Sequence, residues 1–227
     1  MAWNFGVQIN ALTGFDANLD SASEEGEDYT TLSVRWLSDA AREVINLLPP
    51  QMLQRCAKVG AAFAPTTGEV HEEKVISVIR AETTDFNTGE VYDCREIPFM
   101  QSHKASDPDS LEHATETDPV FYYEPQTDTN AVKIKVLPTS SSSLAKAYSV
   151  DYPTVDHSHS TIDNFPDEAE HLVVLRAAIT AVEYKLNFEE DVELYTPIIA
   201  LLKSQYQEGV MVLKTGNIVP PQQQKAR

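Results

Sequence analysis

The chain has 227 residues, 42% of them hydrophobic and 23% charged, which suits one domain with a peripheral insertion or two small domains sharing a core and excludes a mostly disordered chain. Seventeen basic against 35 acidic residues give a formal charge of -18, a balance that repels a polyanion and argues against sequence-specific DNA or RNA binding. No stretch reaches the roughly 18 apolar residues of a membrane span, and residues 1–15 carry no basic segment ahead of an apolar core, so we expect synthesis in the cytosol and no membrane partner.

Residues 1–29 read as an N-terminal arm, because 10–28 are rich in Asp, Glu, Ser and Gly with little periodicity. Such a segment is expected to order on a partner. From about Thr31 the pattern changes: Leu32, Trp36, Ala40, Val44 and Leu47 recur every three to four residues, while Arg35, Asp39, Arg42 and Glu43 fall elsewhere. This predicts an amphipathic helix. Leu48-Pro49-Pro50 stops it, and Pro50 opens a short helix over 51–56.

Residues 61–162 are written in another period. The β-branched run Val75, Ile76, Val78 and Ile79 favours a strand, with a helix the alternative for so short a run, and the turn residues Asn87-Thr88-Gly89 join 74–82 to 91–96 as a hairpin. A second hairpin pairs 120–123 with 132–136 across the polar stretch 126–130, and 145–150 adds a further strand. The expectation is a small antiparallel sheet.

At Asn164-Phe165-Pro166-Asp167-Glu168 a long helix begins, with Pro166 suited to the first helical position and two carboxylates facing the positive end of the helix dipole. Leu172, Leu175, Ile179, Val182 and Leu186 mark one face; Ala169, Val173, Ala177 and Ala181 make a second, small-residue face that allows close approach. A further helix from about Glu190 carries Tyr195, Ile198, Ile199, Leu202, Tyr206 and Val210, with Pro197 bending it or delaying its start, and packs antiparallel on the first. Residues 215–227 form a polar tail ordered by a partner. The predicted fold is thus α+β: a helical domain of 30–60 and 163–214 with 61–162 as a β-rich insertion.

No catalytic, cofactor-binding or metal-binding residues are assigned. His157 and His159, alternating along the chain and flanked by Asp151, Asp156 and Asp163, are of ligand type, but they stand in a Ser-rich acidic segment of the kind found in solvated turns. Asp107, Asp109, Glu112, Glu116 and Asp118 lack the layout of a calcium loop. Ser140–Ser143 sit outside any nucleophile elbow, and there is no glycine-rich phosphate loop. Cys56 and Cys94 have neither redox nor zinc spacing and read as two reduced, partly buried thiols, with a disulfide between them as the alternative. Trp36, Tyr122 and Tyr123 read as core or interface aromatics rather than ligand stackers.

Trp36-Leu37-Ser38-Asp39-Ala40-Ala41-Arg42-Glu43-Val44-Ile45-Asn46-Leu47-Leu48-Pro49 resembles the opening helix of neck and structural proteins of marine bacteriophages. Tyr148-Ser149-Val150-Asp151-Tyr152-Pro153-Thr154-Val155 and the later Asn164-Phe165-Pro166-Asp167-Glu168-Ala169-Glu170-His171-Leu172-Val173-Val174-Leu175-Arg176-Ala177-Ala178 resemble the same group. The order of elements is also similar to the tail adaptors of short-tailed phages. This resemblance implies a structural, non-enzymatic virion protein of the neck: a dodecameric head-to-tail connector ring, with helices near the portal and β elements toward the tail. Its partners would be further copies of itself, the portal, and tail tube, nozzle or terminator proteins, with DNA passing through unread at ejection. Two alternatives stand beside it: another phage tail ring (terminator, tube, baseplate or fibre attachment), and a metal-dependent enzyme using His157 and His159.

Overall fold

The computed structural model describes residues 3–14, 29–71, 74–126, 132–140, 142–186 and 192–215. The chain is an α+β protein divided into two compact units, one of Met1–Cys56 with Tyr152–Arg227 and one of Ala57–Asp151. Among the described residues no helix is long and apolar enough to cross a membrane.

In the first unit, α1 (Phe5–Thr13), α2 (Tyr29–Leu47) and the short α3 (Pro50–Leu53) precede α5 (Asp167–Leu186) and α6 (Val192–Thr215). In α2 the residues Leu32, Trp36, Leu37, Ala40, Ala41, Val44 and Ile45 are buried and Arg35, Asp39 and Arg42 exposed, the stripe that a 3.6-residue period lays on one side. Trp36 packs edge-on to Tyr29, with ring centroids 5.8 Å apart, and against Tyr184 at 5.4 Å.

Helix α5 packs against α1, α2 and α6. It has neighbours on several sides, so its buried residues run nearly all round it, from Ala169, Leu172, Val173 and Val174 to Ala181 and Val182. Leu175, expected on the buried face, is only half-buried, whereas its neighbour Val174 is covered. Pro166 stands one residue before the helix instead of opening it, and its carbonyl accepts from Ala169 N–H at 2.9 Å. Helix α6 runs antiparallel to α5, since Lys203 reaches Glu183 at 2.8 Å while Gly209 lies over Leu172. Pro197 falls inside α6, where its missing N–H leaves the carbonyl of Glu193 without its helical bond.

Part of the expected arm is helical. Helix α1 buries Phe5 and Ile9 against the bundle and ends on Gly14, whose positive φ of 74° lets its N–H return to Asn10 O at 2.8 Å. A nine-residue helix is marginal by itself, so this one depends on packing that local composition does not report. Residues 15–28 of that arm, and 216–227 of the expected tail, lie outside the described residues.

The second unit holds β1 (Ala57–Val59), β2 (Glu69–His71), β3 (Val75–Ala81), β4 (Val91–Glu96), α4 (Ser102–Ser106), β5 (Val120–Pro125), β6 (Val132–Leu137) and β7 (Leu144–Val150). Both expected hairpins form, β3 with β4 and β5 with β6, and β7 pairs antiparallel with β3 and β1. Among the described residues the sheet is larger than expected, seven strands in the order β1-β7-β3-β4-β5-β6-β2. It is also not wholly antiparallel: Arg95 and Glu96 of β4 run parallel to Val120 and Phe121 of β5. A parallel step needs a crossover, supplied by residues 97–119. Alternation along the strands directs Val78, Ile134, Val136, Ala145 and Ala147 into one core with Phe63 and Phe121.

Unit boundaries fall at 56/57 and 151/152, not at 60/61 and 162/163. Residues 57–59 are a strand on β7, and the segment after Asp151 is held by the helices. There Val155 N–H donates to Ser38 Oγ at 3.0 Å, Tyr152 Oη to Asn46 Oδ1 at 3.0 Å, and Arg42 lies 5.4 Å from the Tyr152 ring centroid.

Candidate interaction surface

The histidine segment is a turn, as its composition suggested. Its carbonyls cap a helix: Phe5 N–H donates to His159 O and Gly6 N–H to His157 O, both at 2.8 Å, while Asn4 Oδ1 takes Val7 N–H at 2.9 Å. Three of the orphan donors at the start of α1 are thereby satisfied. Gly6 suits this close approach, because a Cβ there would stand 3.3 Å from His157 O. Asp156 Oδ1 accepts from the N–H and the Oγ of Ser158, each at 2.8 Å, and those bonds lower its pKa. His157 Nδ1 is 3.1 Å from the same oxygen without hydrogen-bond geometry. Among the described residues no group of three or more His, Cys, Asp or Glu is arranged to hold a metal ion. Asp151, Asp163 and the two imidazoles are therefore not brought together as a ligand set.

Of the other chemical candidates, Cys56 and Cys94 are both buried. Burial pushes the Cys94 thiol up to about 12 despite the nearby Arg80 charge, so it is a poor nucleophile at neutral pH. Ser140 Oγ pairs with Ser142 Oγ at 2.9 Å, and Ser143 is buried. In the acidic stretch, Asp107 Oδ1 takes Asp109 N–H at 3.0 Å, Glu112 lies 3.9 Å from Lys104, and Asp118 lies 3.3 Å from Arg95.

The crossover of residues 97–119 is the distinctive surface of the second unit. Its inner side chains, Ile97, Ala105 and Ala114, make a small core with Val120 and Leu137. Ala114 N–H donates to Ala105 O at 2.9 Å, which closes the crossover on itself. Along it Phe99 is 49% exposed, Met100 82% and Leu111 fully exposed. Phe99 leans on Tyr122, ring centroids 5.9 Å apart. Large apolar side chains held on a folded loop and left to solvent are characteristic of contact surfaces. The carboxylates of 107–118 stand out in the sequence without a calcium-loop layout; the adjacent pair Phe99-Met100 is the signal of this surface that the sequence carried.

Arg80 escaped sequence reading altogether. It sits on the core face of β3, two residues from Val78, and is 1% exposed. Its guanidinium donates to Glu116 O at 3.4 Å, tying the crossover to the sheet, while Nε has no hydrogen-bond partner. On the first unit, α6 exposes Leu201, Met211 and Val212 while burying Leu202 and Leu213.

The chain matches no protein-family model and no curated protein.

Proposed function

We propose that the chain is a non-catalytic structural protein of a tailed-phage virion, a head-to-tail adaptor forming a ring between portal and tail through which DNA passes. The observation that carries this reading is the apolar surface left outside both cores: Phe99, Met100 and Leu111 in one unit, Leu201 and Met211 in the other. A net charge of -18 keeps such a chain soluble until a partner covers them. The kind of assembly comes from the resemblance of 36–49, 148–155 and 164–178 to phage neck proteins. Head-to-tail contacts between copies close into a ring when the rotation permits, and carboxylates facing its lumen would repel passing phosphate.

Native mass spectrometry of the full chain, alone and with portal, tests the ring; gold-labelled antibody on virions tests the position. The expected results are a closed homo-oligomer that binds portal and label at the neck. Label on the distal tail would shift the reading to a terminator, tube, baseplate or fibre-attachment ring. A monomer that neither self-associates nor binds portal would remove it.

A further inference from the structure

Two stretches of this chain are chemically complementary. The crossover of residues 97–119 exposes Phe99, Met100 and Leu111 to solvent and carries five carboxylates. Two of these are near cations, Glu112 with Lys104 and Asp118 with Arg95. Among the described residues Asp107, Asp109 and Glu116 have no cation at salt-bridge distance. Residues 216–227 have the opposite character: Ile218-Val219-Pro220-Pro221 is apolar and is followed by Lys225 and Arg227, with no carboxylate anywhere in the segment. In a chain with twice as many acidic as basic residues, that run is an exception.

We propose that residues 216–227 of a second copy dock on this crossover, with Ile218, Val219 and the prolines against Phe99, Met100 and Leu111 and with Lys225 and Arg227 toward Asp107, Asp109 and Glu116. The proposal rests on the ring reading above and names the surface that joins neighbours. Paired prolines are stiff in any peptide, which lowers the entropy lost on docking. Proline also brings no amide donor that a flat apolar surface would leave unsatisfied. Opposite charge around the apolar contact fixes the direction in which the segment lies and speeds encounter.

A photo-crosslinking amino acid at position 218 of the full chain, in an equal mixture of isotope-labelled and unlabelled protein, reads both the site and the chain of origin. Crosslinks between labelled and unlabelled chains, mapping to the peptide that spans Phe99 to Leu111, are the expected result. Met100→Asp with Leu111→Asp should cut their yield about tenfold, with circular dichroism unchanged because both side chains are exposed. Lys225→Glu with Arg227→Glu should cut it similarly, and added salt should weaken the wild-type yield. Crosslinks mapping elsewhere, or only within one chain, would overturn the docking. Native mass spectrometry of the same samples separates the two readings: a ring whose crosslinks map elsewhere removes the docking alone, and a chain that stays monomeric removes both.

Discussion

Glu43 Oε2 stands 2.6 Å from Arg176 Nε, and the other oxygen of Glu43 accepts from Tyr206 Oη at 3.0 Å, so a single carboxylate ties α2 to both α5 and α6. Burial alone would weaken Arg176's hold on its proton, but the hydrogen bond and charge of Glu43 outweigh it. Burial together with Glu43's charge keeps the Tyr206 hydroxyl protonated well above the usual tyrosine range. The Arg176 and Glu43 side chains are 30% and 43% exposed, so water screens part of the attraction. Glu43→Ala should therefore cost about 1–2 kcal/mol in urea unfolding. A cycle with Arg176→Ala should show coupling of about 0.5–1 kcal/mol; strict additivity would mean that the contact does not stabilise the bundle.

Leu172 and Gly209 form a size pair across α5 and α6. Leu172 is completely buried, and a Cβ added at Gly209 would overlap its Cδ2. Leu172→Ala should cost about 2–5 kcal/mol through lost burial and a residual cavity. Gly209→Ala should destabilise by about 1 kcal/mol, because overpacking outweighs the better helix propensity of alanine. In the Leu172→Ala background the same change should stabilise. Denaturation of the four proteins decides it, and a Gly209→Ala effect of the same sign in both backgrounds contradicts the contact. Leu175→Ala, at a half-buried position, should cost less than Leu172→Ala.

The histidine segment acts through its backbone, so His157→Ala with His159→Ala should change stability by less than about 0.5 kcal/mol and leave assembly intact. Asn4→Ala, which removes the acceptor for Val7 N–H, should cost about 1 kcal/mol. Thermal melts with and without chelator read both. A chelator-sensitive loss confined to the double histidine variant would restore the metal reading.

Glu170 Oε1 accepts from Ile162 N–H at 2.7 Å, yet the pKa of this carboxyl is raised: burial is the main cause, Ile162 N–H opposes it, and the charge of Asp167 adds to it. An acid whose folded pKa lies above its unfolded value favours folding while both states are protonated. That contribution is lost as pH rises through the folded pKa. Glu170→Gln keeps an acceptor and cannot ionise, so its melting temperature should fall less, or rise more, than that of the wild type between about pH 4 and 7. Parallel pH profiles for the two proteins would show that the shift has no thermodynamic weight.

What the sequence determined by itself is local. Leu32, Trp36, Ala40 and Val44 repeat within one helix, the proline pair at 49 and 50 ends it, and Asn87-Thr88-Gly89 supplies the turn between two strands; each signal lies within a few residues of the feature it specifies. Tertiary structure decided the rest, because the deciding partners are distant in the chain. Ala57–Val59 is a strand only because residues 148–150 offer it a ladder. Phe5–Thr13 is a helix because α5 covers its apolar side and the carbonyls of His157 and His159, some 150 residues on, accept its first amides. Those two histidines drew attention for their ligand-type side chains because side-chain chemistry is what a sequence displays. Only the fold could assign the work to their main-chain oxygens, since every residue carries one and none is marked in the sequence.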